Sequence, residues 1–126
     1  MKKRPIRDLY YAIVLSVGLS FAANQATAQG NAEAGATVYK EQNCAECHGD
    51  TGKGDGYILP MLKVKVPMHD WTDKAALAGM TDEYLAEIIV KGGEPLGKSE
   101  VMLKYGDKLN EQQVQDLVAF MRSLAR

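Results

Sequence analysis

Long apolar runs, strand-like alternation and an excess of charge of one sign are all missing from this sequence. The main apolar stretch, Ala12 to Ala23 (AIVLSVGLSFAA), has 12 residues, where a helix that spans a bilayer needs about 20. No segment alternates apolar and polar residues as a half-buried strand does. Lys and Arg number 15 against 16 Asp and Glu, with no basic stripe, so nothing points to a nucleic-acid partner. No internal repeat or low-complexity tract divides the chain. Cysteine and histidine are scarce, two of each, yet three of these four side chains fall within Cys44–His48 (CAECH).

The apolar stretch has flanks of its own. Lys2, Lys3, Arg4 and Arg7 precede it and "NQATAQG" follows, which is the basic, apolar, small-x-small order of a secretory signal. Cleavage is expected after Ala28, with Ala26 and Ala28 as the small residues, and the pattern fits bacterial export to the periplasm. Arg4 and Arg7 are not adjacent, so there is no twin-arginine signal. Residues 29–126 then form one domain with no membrane span. The leader takes four basic residues and one acidic residue with it, leaving 11 basic and 15 acidic, net −4.

Helices account for the rest. Asn31 is a cap for a helix over 32–42 that carries Val38 and Tyr39. Gly35 lies inside it, and a glycine there costs about 1 kcal/mol relative to alanine. It is either a tolerated weakness or the point where another helix comes close, and the partner expected is the last helix, near Phe120. Thr81 caps the next helix, with Asp82 and Glu83 in the first turn, Leu85, Ile88 and Ile89 on its apolar face, and Gly92 as its stop. Asn110 and Gln113 have the spacing of a capping box, followed by Val114, Leu117, Val118, Met121 and Leu124 at helical intervals. Asp73 to Gly79 has room for one short turn of helix. The fold class is all-α, with helices at both ends. Two long loops, 50–66 and 92–109, are of the kind that is usually functional. A large prosthetic group would supply the core that so small a set of side chains cannot.

Three chemistries use Cys-x-x-Cys: a redox dithiol, half of a zinc site, and covalent haem attachment. A redox dithiol normally follows a strand, at the start of a helix in an α/β domain; here the motif is expected to close the first helix, and no strand is expected. Zinc would need Cys44, Cys47, His48 and His69 around one tetrahedral ion, and adjacent Cys47 and His48 are poorly placed to reach it together. Haem attachment meets neither objection. Two thiols three residues apart add to the two vinyl groups along one porphyrin edge, and the next side chain projects its imidazole at the iron. Cys-x-x-Cys-His is a specific signal for this, and export agrees with it.

With that motif in place the chain resembles the small class I c-type cytochromes over nearly all of residues 29–126. "GATVYKEQNCAECHGDTGKGDG" is similar to the family's first helix and attachment loop, "LAGMTDEYLAEIIVKGG" to its middle helix and glycine stop, and "VMLKYGDKLNEQQVQDLVAFMRSL" to its sixth-ligand loop and final helix. The resemblance implies a cytochrome c-like fold: crossed terminal helices, with a middle helix and long loops around one covalent haem c. It implies Cys44 and Cys47 as thioether attachments, His48 as proximal iron ligand and Met102 as distal ligand. Two positions depart from the family pattern. Leu103 replaces the proline that commonly follows the methionine, while Tyr105 keeps the aromatic. Tyr57 stands where a proline usually follows the second glycine of "GDG", with Pro60 three residues on, which leaves open which carbonyl orients His48.

The ligand chemistry agrees with Met102. A soft thioether opposite an imidazole favours reduced iron and raises the potential. Met102 sits in a glycine-flanked loop well beyond His48. Met61 and His69 are its competitors, Met68 and Met80 lie in or beside the middle loop, and Met121 belongs to the apolar face of the last helix. Trp71 is either a core residue or an indole donor to a haem propionate. Lys63 and Lys65 are solvated loop charges, or meet a propionate or an acidic partner. The expected function is one-electron transfer in the periplasm between a donor and an acceptor protein, such as a dehydrogenase, oxidase or reductase, with no catalytic residues. A dedicated subunit of an oxidoreductase complex is the second reading, and a ligand-binding haem sensor the third. With acidic residues in excess, the partner is expected to present basic residues around the haem edge.

Overall fold

A computed structural model describes residues 29–64 and 67–126. The expected leader and Lys65 lie outside the described residues. Among the described residues five α-helices follow one another: α1 (Ala32–Glu41), α2 (Ala45–His48), α3 (Lys74–Ala78), α4 (Asp82–Lys91) and α5 (Glu111–Leu124), with short 3-10 turns at Leu59–Met61 and Glu94–Leu96. No strand occurs among the described residues, and no helix there is long and apolar enough to cross a membrane.

Local chemistry fixes the helix ends. Asn31 Oδ1 accepts from the Ala34 amide at 2.9 Å, and Thr81 Oγ1 accepts from the Tyr84 amide at 3.1 Å. At α5 the capping box closes in both directions: Asn110 Oδ1 accepts from Gln113 N at 2.9 Å, and Gln113 Oε1 accepts from Asn110 N at 3.0 Å. Each satisfies an amide that the first helical turn leaves without a partner.

The terminal helices cross and make the largest helix–helix interface. The expectation for Gly35 holds. A Cβ there would run into the Asp116 carbonyl of α5 and come within 2.8 Å of Phe120 Cβ. Only a residue without a side chain lets the two backbones approach this closely. Beside the crossing the buried Asp116 carboxylate accepts from the Asn31 amide at 2.7 Å and from Gln112 Nε2 at 2.8 Å, which ties the start of α1 to α5. The buried core joins Val38 and Tyr39 of α1, Leu85 and Ile89 of α4, and Val114, Leu117, Val118 and Met121 of α5. Arg122 fastens the remaining side. Its guanidinium pairs with Asp82 at 2.7 Å and donates to the carbonyls of Leu77 and Met80, so α3 and α4 are both held to α5.

One boundary differs from expectation. The Cys-x-x-Cys-His motif does not close the first helix. That helix stops at Glu41, Asn43 adopts a left-handed conformation (φ 57°), and the motif occupies its own short helix, α2. Asn tolerates this conformation better than most residues, and the break separates the motif from α1.

Candidate functional site

The break after α1 places Cys44 at the start of α2 and His48 at its end. The short helix is held by His48 N donating to Cys44 O at 2.9 Å, and Cys44 N reaches back to Tyr39 O at 3.1 Å. Cys44, Cys47 and His48 all line one cavity of about 730 Å³, bounded elsewhere by α4, α5 and both long loops. Most of its wall is apolar. Leu85 and Ile89 come from α4, Leu117 and Met121 from α5, and Tyr105 from the second loop.

Met102 lines the same cavity. The end of α4 holds its loop there. Gly93 N donates to Met102 O at 2.9 Å, and Tyr105 N donates to Ile89 O at 3.0 Å. Gly92 has φ 82° and ψ −179°, a region open essentially to glycine alone. A Cβ on it would sit 2.8 Å from Met102 O and 3.0 Å from Lys104 N. The glycine pair that stops α4 is therefore also the seat of the Met102 loop.

The competing ligands are distributed differently. Met61 is 66% exposed and is not part of the cavity wall. Met68, Met80 and Met121 do line it, as does the exposed His69. Lys63 is exposed. Among the described residues no three or more His, Cys, Asp or Glu side chains are grouped to hold a metal ion.

Burial sets the protonation of the motif. It pushes the Cys44 thiol up to about 11 and raises that of Cys47, where the nearby Glu46 charge adds to the effect. Redox dithiols depend on a lowered thiol pKa, so this pair is poorly suited to thiol–disulfide exchange. Desolvation lowers His48 to about 4. Its imidazole is neutral at pH 7, with a lone pair free for a metal.

Two further features of His48 were not visible in the sequence. Its Nδ1 is buried and has no hydrogen-bond partner among the described residues. Its ring stacks on that of Trp71, with centroids 4.3 Å apart and planes 25° from parallel. Trp71 is a buried core residue 23 positions away in a loop without periodicity, so no spacing signalled the pair.

The site matches known proteins. The cytochrome c family model matches residues 32–125, and the chain belongs to that family. Among solved structures it is similar to the c-type cytochrome KustC0563, with 26% identity and a TM-score of 0.57, over 73% of this chain and 98% of that one. It is also similar to a chain of the Kuenenia stuttgartiensis reducing HAO-like protein complex Kustc0457/Kustc0458, with 26% identity and a TM-score of 0.58, over 77% of this chain and 44% of that one. No curated protein sequence matches it. The group carried is haem c, and the protein is a c-type haem electron carrier. Its residues fit that group: two unpaired thiols, a neutral imidazole and a thioether on the wall of one apolar cavity.

Proposed function

We infer that this protein carries single electrons between redox proteins in the bacterial periplasm, and that it is not an enzyme. Cys44 and Cys47 are the thioether attachments, His48 is the proximal ligand and Met102 the distal one. The observation that supports this reading best is the convergence of these four side chains on one cavity. Haem c supplies an iron that cycles between ferrous and ferric. Around it the chain provides an apolar wall that excludes water, a neutral imidazole, and a soft thioether that favours the ferrous form. The acidic excess suits partners that present basic residues.

A second reading has one specific support, the similarity to a chain of a reducing HAO-like complex. In that reading the protein is the cytochrome subunit of an oxidoreductase and receives electrons inside the assembly. Purification from native membranes and periplasm separates the two. A carrier elutes alone, and a subunit elutes with a larger partner.

Intact-mass spectrometry of the exported, denatured protein tests the attachment. The expected mass is that of residues 29–126 plus one haem, and Cys44→Ala and Cys47→Ala should each weaken attachment. A haem-free chain with two free thiols would end this reading.

A further inference from the structure

The open question at His48 was which carbonyl holds its imidazole. Iron-bound histidines nearly always donate their second ring N–H to a carbonyl, carboxylate or water, which fixes the ring plane. In this chain the segment after the motif approaches it the other way round. The amides of Gly54, Gly56 and Ile58 donate to the carbonyls of His48, Cys47 and Glu46, at 2.8, 3.1 and 3.2 Å. Gly56 lies so close to the backbone of Glu46 and Cys47 that a Cβ would collide with both carbonyls. These three amides face the motif as donors, and Nδ1 of His48 finds no acceptor among the described residues.

What touches the imidazole instead is the face of Trp71, 4.3 Å away. Trp71 is itself held in place. Its amide donates to Gly52 O at 2.8 Å, and the Tyr39 ring packs against it in a T-shaped arrangement with centroids 6.2 Å apart. The Tyr39 hydroxyl in turn donates to Gly49 O at 2.6 Å, beside His48 in the chain. Backbone and aromatic contacts therefore lock the indole plane, and the indole plane leaves the imidazole one favourable tilt.

We propose that Trp71 is a positioning residue for the proximal ligand: its stacked ring fixes the plane of His48, in place of a hydrogen bond to Nδ1. This rests on His48 as iron ligand. The readout is ligand orientation rather than electron-transfer activity. In the oxidised holoprotein, the order and spread of the haem-methyl proton shifts follow the plane of the axial imidazole. Trp71→Phe keeps an aromatic face and should keep the wild-type order. Trp71→Leu removes the face and should change the order or broaden it through ring motion. A merely structural Trp71 would lower the melting temperature of the leucine variant and leave the shift order intact, and that result overturns the proposal.

A second measurement needs no variant. In the reduced wild-type protein, nuclear Overhauser contacts should link the His48 and Trp71 rings. The Nδ1 proton should show no coupling across a hydrogen bond and should lie upfield of a carbonyl-bonded one. A downfield Nδ1 proton coupled to a backbone carbonyl contradicts the proposal. If His48 is not the iron ligand at all, its ring protons will lack the large upfield shifts that the porphyrin ring current gives an axial imidazole, and this distinguishes the two failures.

Discussion

The amide of Gly93 donates to the carbonyl of Met102 at 2.9 Å, so the residue that follows the stop of α4 also sets the height of the methionine loop. Gly92 beside it holds a conformation that other residues reach only at a cost of about 1–3 kcal/mol. Gly92→Ala should lower stability by that amount, because its Cβ also presses on Met102 O. The loop should then release the methionine more readily. Thermal unfolding measures the first effect. A weaker near-infrared methionine-to-iron charge-transfer band in the oxidised protein measures the second. An alanine variant with wild-type stability and an unchanged band would show that the glycine pair does not hold the loop.

The helix crossing makes a prediction in which two effects oppose each other. Gly35→Ala gains about 1 kcal/mol of helix propensity. It also drives a methyl group into the Asp116 carbonyl, and overpacking of this kind costs about 1–3 kcal/mol. The clash involves backbone rather than a flexible side chain, so it should win. The expected result is a lower melting temperature for Gly35→Ala and a larger drop for Gly35→Leu. For a domain of this size each kcal/mol corresponds to about 4–8 °C. A melting temperature at or above wild type for Gly35→Ala would mean that the helices separate without cost.

Acid should release the proximal ligand late. The folded protein holds His48 at about 4 through desolvation, below the ordinary histidine value of about 6.5. A lowered histidine binds its proton more readily when unfolded. Its contribution to stability is therefore fully present above about pH 6.5 and is lost as pH falls towards 4. Iron on the same imidazole pushes protonation lower still. The low-spin spectrum should persist from pH 7 to about 5 and change only near or below pH 4. A spin-state transition centred near pH 6.5 would mean that His48 is neither desolvated nor ligated.

Much of this was legible from short-range chemistry. The capping box of Asn110 and Gln113, the Thr81 cap and the Gly92 stop depend on residues three or four apart, so they can be read directly. The Gly35 crossing was legible for a different reason: a glycine costs stability inside a helix unless something uses the missing side chain. The attachment motif is local as well. What the sequence did not disclose depends on distant contacts. The Arg122 clamp on Leu77, Met80 and Asp82 and the stacking of Trp71 on His48 join residues from separate elements. Choosing among the methionines was of the same kind. Met61 lies exposed and off the cavity wall, whereas Met68, Met80 and Met121 share the wall with Met102.

The most direct test of the central claim is to mix the reduced wild-type protein with carbon monoxide at neutral pH and follow the Soret band, alongside Met102→Ala. If the sulfur of Met102 fills the sixth position, the wild-type spectrum stays unchanged and the alanine variant binds the gas. The variant should also lose the near-infrared band and show a lower potential, since the thioether that favoured ferrous iron is gone. The same substitution at Met61 or His69 should leave all of this intact. Rapid stoichiometric binding by the unmodified protein would contradict the account and make this a ligand-binding haem protein.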